Sequence, residues 1–110
     1  MSLNALIINT LSPLGVLVRF HQLLEEDGDP DTYITFFEYN QRGQLYGDDK
    51  ELKTSHSIQV DVWSTGNYTD LVKQVKEKLI LVGFTRTFET EIYESETDTF
   101  HKVIRFNFVQ

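Results

Sequence analysis

The nine residues from His56 to Ser64, HSIQVDVWS, constrain the fold of this chain more than any other segment. Apolar and polar side chains alternate along them, which is the pattern of a β-strand that has one face in a core. The side expected to face the core carries Ile58, Val60 and Val62. The opposite side carries Gln59, Asp61 and Trp63. A helix cannot follow this period of two, so the chain is expected to build a sheet around this strand.

A helix is predicted directly after this strand, in the run YTDLVKQVKEKLILVGF at residues 68–84. Its apolar residues recur at helical spacing and form one stripe, which consists of Leu71, Val72, Val75, Leu79 and Val82. Gly83 is expected to end the helix, because glycine readily adopts the left-handed conformation there. Residues 3–11 also show helical spacing, so two helices are expected to pack on the sheet.

Four more segments are predicted to be strands from their alternation and their β-branched and aromatic residues. They cover residues 16–21, 33–40, 84–93 and 99–109. The element order is therefore αβββαββ, and consecutive strands with short turns favour antiparallel pairing. We predict an α+β fold, a mainly antiparallel sheet with helices packed on it, in a single domain over residues 1–110. Residues 41–55, which contain the charged run GDDKELK, are predicted to form a long hairpin or loop.

The composition excludes several classes of protein. The chain has 110 residues, 40% of them hydrophobic, which suits one folded core and not a disordered chain. It has no cysteine, which excludes disulfides and thiolate zinc sites. No apolar run reaches the roughly 18 residues of a membrane span, so we expect no membrane partner. The net charge of −7 argues against wrapping a nucleic-acid backbone.

The run Asp27–Glu38, DGDPDTYITFFE, has acidic residues at its first, third, fifth and twelfth positions, the ligand spacing of an EF-hand calcium loop. Three features oppose that interpretation. Thr32 stands where the loop needs glycine, Pro30 removes a backbone donor, and YITFFEYN consists of strand formers where a helix should follow. We therefore interpret residues 25–31 as an acidic hairpin turn without a metal.

No catalytic or cofactor motif can be recognised in the sequence. His21, His56 and His101 lie in or beside predicted strands without a partner at helical spacing, so surface or interface histidines are expected. Neither a nucleophile elbow nor a glycine-rich phosphate loop occurs. We predict a protein that is not an enzyme and has no catalytic residues, no metal and no other cofactor.

Aromatic residues are the candidate binding residues. Trp63 lies opposite the predicted core face, and two interpretations stay open: a second layer such as the first helix covers it, or it contacts another protein. The strand at residues 33–40 has aromatic side chains on both faces, more than a small half-exposed sheet requires. The candidate residues of a subunit or partner interface are Tyr33, Phe37, Tyr39, Tyr46 and Trp63.

Three runs of the sequence resemble a family of phage proteins. They are YITFFEYNQRGQLYGDDKEL, then IQVDVWSTGNYTDLVKQVKEKL, then GFTRTFETEIYESETDTFHKVIRF, and the likeness covers residues 14–109. In this order they are similar to the tail-completion proteins, the tail-terminator-like group, of siphophages and prophages of Gram-positive bacteria. The resemblance lies in the ordered combination, since none of the runs is a catalytic motif.

The resemblance implies a structural and assembly protein of the virion. Such proteins are typically monomers in solution and assemble as a ring, usually a hexamer, on the end of the tail tube. The ring stops tail polymerisation, joins the tail to the head, and lets DNA pass without specific binding. The implied partners are other copies of the chain, the major tail tube protein and the head–tail connector proteins. The implied location is the tail or neck of the virion, after assembly in the host cytoplasm.

Acidic residues of the long hairpin or loop are candidates for the lumen of such a ring, namely Asp48, Asp49 and Glu51. Negative charge there would repel the phosphates of moving DNA and lower friction. Two alternatives stay open. One is a neighbouring head-completion ring protein. The other is an acidic binding protein that acts alone, such as a phage-encoded inhibitor that mimics nucleic acid, which would explain the net charge of −7 directly.

Overall fold

The structure, a computed structural model, describes residues 2–47 and 50–110, with side chains described for residues 2–41 and 53–110. Its helices and strands are, in chain order, α1 Leu3–Leu11, β1 Leu17–Phe20, β2 Thr32–Gly47, β3 Lys50–Ser64, α2 Thr69–Leu81, β4 Thr85–Glu94 and β5 Thr99–Val109. Short 3-10 helices at Ser12–Leu14 and Glu25–Asp27 lie before and after β1, and the sequence pattern did not predict them.

The strands form one five-stranded sheet in the order β1-β2-β3-β5-β4. The predicted α+β class is confirmed, since the molecule is mostly sheet with helices packed on it. The sheet is mixed, however, because β1 runs parallel to β2, with Leu17 opposite Tyr33. The predicted hairpin turn at residues 25–31 is therefore wrong. Parallel neighbours cannot be joined by a tight turn, so residues 21–31 form a crossover connection between them.

The crossover is held against β1 by an ion pair. Arg19 donates two hydrogen bonds to the carboxylate of Asp27, from Nη2 to Oδ1 over 2.6 Å and from Nε to Oδ2 over 2.9 Å. The backbone N–H of Leu24 donates to the same carboxylate over 2.7 Å. The hydrogen bond from Arg19 lowers the pKa of Asp27 to about 2. The first acid of the calcium-like run thus has a structural role in the crossover.

The hydrophobic core lies between one face of the sheet and the two α-helices. The alternation in β3 is confirmed, because Ile58, Val60 and Val62 are at most 1% exposed. The helices contribute Leu3, Ile7 and Leu11 from α1 and Val72, Val75 and Leu79 from α2. Each such buried side chain contributes about 1.5–3 kcal/mol relative to an exposed one.

The end of α2 differs from the predicted stripe at one position. Val82 lies beyond the helix and is 39% exposed, whereas Phe84 is 2% exposed. Gly83 has a φ of 110°, a conformation that favours glycine, and it turns the chain so that the next residue enters the core. The predicted helix end at Gly83 is confirmed, and Phe84 fills the core position that the pattern assigned to Val82.

Residues 41–55 contain a long antiparallel hairpin rather than an unstructured loop. The backbones of β2 and β3 pair as far as Gly47 opposite Lys50. The neighbouring β5 reaches only to Val109 opposite Ser55. The hairpin segment of residues 43–47 and 50–53, called the arm below, therefore extends past the five-stranded sheet. The radius of gyration is 15.1 Å, against roughly 13 Å expected for a compact chain of this length.

Candidate interaction surface

The face of the sheet opposite the two helices is called the open face below. Alternation along β2, β3, β5 and β4 places on it Tyr33, Thr35, Phe37, Gln59, Asp61, Trp63, His101, Val103, Arg105, Phe88 and Ile92. The crossover lies over its β1–β2 side, where the His21 ring stacks on Phe37 at 5.6 Å between centroids. Helix α1 packs into the core on the other face. The interpretation that the first helix covers Trp63 is therefore wrong, since the apolar stripe of α1 is satisfied elsewhere.

One row of side chains crosses the whole open face. Strand pairing places in register, from β1 to β4, Leu17, Tyr33, Trp63, His101 and Ile92. The Trp63 and His101 rings stack with centroids 3.6 Å apart, and the Tyr33 and Trp63 centroids are 5.8 Å apart with nearly parallel planes. These three rings, called the ring row below, form a continuous aromatic strip across three strands.

A layer of polar groups at the base of the open face holds the ring row in place. Asp61 is only 4% exposed, and its Oδ1 lies 2.8 Å from Nε2 of His101. Nε2 of Gln59 donates to the same oxygen over 2.9 Å. Nε1 of Trp63 donates to Oγ1 of Thr35 over 3.1 Å. The rings are therefore oriented before any partner binds, which reduces the entropy that binding would cost.

A cation lies between two exposed rings elsewhere on the open face. The guanidinium carbon of Arg105 is 4.9 Å from the Tyr39 ring centroid and 5.4 Å from that of Phe88. Its Nε donates to Oε1 of Gln59 over 3.1 Å. Both distances are within the range of cation–π attraction. Because Tyr39 is 44% and Phe88 47% exposed, this group offers both apolar area and charge to a partner.

The structure brings together most of the aromatic residues singled out from the sequence. Tyr33, Phe37, Tyr39 and Trp63 all contribute to the open face. The side chains of Tyr46 and Glu51 lie outside the described side chains, and Asp48 and Asp49 lie outside the described residues. Their assignment to an interface or a lumen stays a prediction.

Sequence reasoning missed the half of the open face that comes from β4 and β5. These missed residues are Phe88, Ile92, Val103 and Arg105, and His101 was expected at a surface without a stated neighbour. Alternation along residues 99–109 could have placed His101, Val103 and Arg105 on one face of β5. The pairing with Trp63 depends on strand register, which no local pattern contains.

Several other titratable groups are paired with one another. His56 bonds to Glu38, Lys76 to Glu89 over 3.2 Å, and the Tyr68 hydroxyl donates to Glu91 over 2.6 Å.

Within residues 2–47 and 50–110, no three acidic or histidine side chains form a group that could hold a metal ion. Neither α-helix in that part of the chain is long and apolar enough to cross a membrane. No model of a known protein family and no curated protein matches this sequence.

Proposed function

We propose that this protein is a virion structural protein that caps the phage tail tube as a ring and joins the tail to the head connector. The observation that carries the proposal is the position of the family-like runs. YITFFEYN lies in β2, IQVDVWS in β3 and HKVIRF in β5, the three adjacent strands that carry the ring row. Alternate residues of these three strands, Tyr33, Trp63 and His101 among them, lie on the open face, and this face offers the kind of contact surface that a joining task requires.

A closed ring also needs a second, different surface on each copy. Rings arise from head-to-tail contacts, in which one patch of a subunit binds another patch of its neighbour. The open face supplies one patch and the arm supplies a candidate for the other. A two-stranded hairpin alone is marginally stable in water, so the arm gains stability by packing on a neighbouring copy.

A role in assembly requires no catalytic group, so we propose that the protein is not an enzyme. Its partners are other copies of the chain, the tail tube and the connector, and DNA passes through the ring without specific binding. The excess of acids, a net charge of −7, suits a lumen through which DNA must move without adhering. A head-completion ring at the neighbouring joint would use the same features.

Electron microscopy of the protein mixed with tail tubes purified from its phage tests this proposal. Rings of the protein on tube ends, and tubes that stop growing in its presence, are the expected results. A protein that leaves tubes bare and binds a host enzyme of nucleic-acid metabolism would contradict the proposal. That outcome would support an acidic inhibitor that acts alone.

Two matched variants test whether the open face makes the contact. Ile92 on the open face is 46% exposed and Ile80 on α2 is 51% exposed. Ile92→Glu should abolish capping because it buries a charge in the contact, and Ile80→Glu should cap normally. Equal capping by the two variants would remove the open face from the ring contact.

A further inference from the structure

Strand β4 forms one edge of the sheet and is exposed along almost its whole length. The strand order ends at β4, so one side of its backbone has no neighbour among the strands of the described residues. Every residue of Thr85–Glu94 is exposed except Glu89, which is partly buried. The strand at the other edge, β1, is only four residues long. A long free edge offers a row of N–H and C=O groups to another strand.

The chemistry of β4 reads nearly the same in both directions from Thr90. The residues at equal distances from it are matched in kind, namely Glu89 and Glu91, Phe88 and Ile92, Thr87 and Tyr93, and Arg86 and Glu94. The first pair is acidic, the second is apolar, the third carries hydroxyl groups and the fourth has opposite charges. A contact about a two-fold axis sets each residue against its counterpart in the other copy. The strand therefore suits a second copy of itself.

Antiparallel pairing about Thr90 is the register that matches these residues. Residues opposite each other in an antiparallel pair point to the same face, so the axis must lie at the level of one residue. With the axis at Thr90, Phe88 faces Ile92 of the second copy on the open face, where both side chains are about half exposed. With the axis at Glu89 or Glu91, that acid would face its own copy, which is unfavourable. An axis at Phe88 or Ile92 would pair fewer residues of the strand.

Cations on the helix side of the sheet compensate the central glutamates. In this register Glu89 faces Glu91 of the second copy, which would be unfavourable for isolated carboxylates. However, Nζ of Lys76 lies 3.2 Å from Glu89, and Lys102 is the residue opposite Glu91 in β5. The Tyr68 hydroxyl also donates to Glu91 over 2.6 Å. Each copy thus brings two ammonium groups with its two carboxylates, and the charges at the centre of the contact balance.

We propose that two copies of this chain pair through their β4 edges, antiparallel about Thr90, and form one continuous sheet. Each copy contributes its five strands, and the two open faces lie on the same side of the joined sheet. The contact is two-fold and therefore differs from the head-to-tail contact of the proposed ring. It concerns the free chain in solution and does not depend on tail capping.

Disulfide trapping tests the pairing, because the chain has no cysteine of its own. Thr90→Cys should link to a second copy, since residues opposite each other have Cα atoms about 4.5–5.5 Å apart, within the range of a disulfide. Gln74→Cys, on the exposed side of α2, is the control. In a glutathione buffer, with each rate corrected for the reactivity of its thiol, Thr90→Cys should crosslink at least about tenfold faster, because pairing raises the effective concentration of the thiols. Equal rates would overturn the proposal.

Further cysteine variants distinguish the registers. A mixture of Phe88→Cys and Ile92→Cys should form mixed dimers faster than either variant crosslinks alone, because the two positions face each other. A mixture that links no faster than its components would contradict the pairing. Crosslinking that is fastest for Glu89→Cys or for Glu91→Cys would place the axis at that residue and would equally overturn the register about Thr90.

Sedimentation equilibrium measures the association without any cysteine. The mass of the parent should rise toward that of a dimer with increasing concentration. Thr90→Lys sets like charges against each other at the axis, and Thr65→Lys makes the same change of net charge in an exposed loop. The dimer of Thr90→Lys should be about two- to fivefold weaker than that of Thr65→Lys. Equal association of the two variants, or a parent that stays monomeric throughout, would refute the β4 contact.

Discussion

The carboxylate of Asp27 ties the crossover to the first strand of the sheet. It accepts three hydrogen bonds, two from Arg19 and one from the backbone of Leu24. These bonds favour the ionised carboxylate, which is why its pKa falls to about 2. This single residue therefore fixes the crossover beside the first strand of the sheet.

The Asp27 carboxylate gives the stability of the protein a defined dependence on pH. In the unfolded chain an aspartate has a pKa of about 3.9, which is above the pKa of Asp27 in the folded protein. The stabilisation is therefore complete above about pH 3.9 and is lost as the pH falls through about 2. Asp27→Asn should therefore melt at a lower temperature than the parent at neutral pH, and the gap should close between about pH 4 and 2. Thermal melts monitored by circular dichroism over this range provide the measurement.

Glu25→Gln serves as the control for that experiment, because Glu25 is an exposed acid in the same 3-10 turn. Its melting temperature should follow that of the parent at every pH. The difference in melting temperature between Asp27→Asn and the parent would stay constant down to pH 2 if ionisation of Asp27 were not the source of the effect.

At the scale of single residues, the sequence predicted which side of a strand a residue takes but not its neighbours. Trp63 was correctly placed opposite Ile58, Val60 and Val62, because burial of one face produces a period of two. Its contact with His101 joins positions far apart in the chain and follows from the register between β3 and β5. A local pattern holds no information on that register.

Helix α2 offers a test of the core with one chemical change at two positions. Leu79 is fully buried, whereas Leu81 is 85% exposed. Leu79→Ala should lower the free energy of unfolding by about 2–5 kcal/mol, because it removes buried methyl groups and leaves a cavity. Leu81→Ala should change it by less than about 0.5 kcal/mol. Urea unfolding of both variants gives these values, and similar losses would contradict the packing of α2.

The arm can be removed without touching the rest of the sheet. Pairing between β3 and β5 begins at Ser55, so residues 44–53 can be replaced by an Asn-Gly turn, which suits a tight hairpin and keeps Gly43 opposite Thr54. The shortened chain should keep the circular dichroism spectrum of the parent and should fail to cap tail tubes. Sedimentation and electron microscopy measure these two properties separately.

An equally long Gly-Ser replacement of residues 44–53 is the matched control for chain length. It preserves the span of the connection while it weakens strand pairing, so it should also fail to cap. Normal capping by the shortened chain would exclude the arm from the ring contact and would leave the open face as the candidate.

At the scale of elements, the sequence predicted the strands and helices well and their arrangement less well. The strands predicted at residues 16–21, 84–93 and 99–109 are present with ends shifted by at most one residue, and the strand predicted at residues 33–40 extends to Gly47. The parallel pairing of β1 was missed, since Gly28 and Pro30 indicate a change of direction in a hairpin and in a crossover alike. The strand ends within residues 41–55 were missed because a hairpin outside the sheet has no core to impose alternation.

The charge of the whole molecule matters to the proposed ring through Asp48 and Asp49, which the sequence predicts to lie in a long hairpin or loop. Asp48→Lys combined with Asp49→Lys should slow DNA ejection from otherwise normal particles, because positive charge in a lumen would hold the phosphates of DNA. Ejection followed by the fluorescence of a DNA-binding dye gives the rate. These two residues lie outside the described part of the chain, so this prediction comes from the sequence alone.

Glu25→Lys combined with Glu26→Lys makes the same change of charge in the exposed 3-10 turn. Particles with this control variant should eject DNA at the parental rate, because we expect the position of the added charge, and not the net charge of the chain, to set the rate. Normal ejection by the Asp48 and Asp49 variant would remove those residues from the lumen.

The position of β5 has a consequence for when the protein can fold during its synthesis. This strand lies inside the sheet, between β3 and β4, yet it is the last of the five sheet strands in chain order. Until β5 has left the ribosome, one edge of β3 is unpaired and His101 cannot join the ring row. Completion of the sheet must therefore wait for the end of this segment, and nascent copies cannot yet present the open face to one another on the polysome.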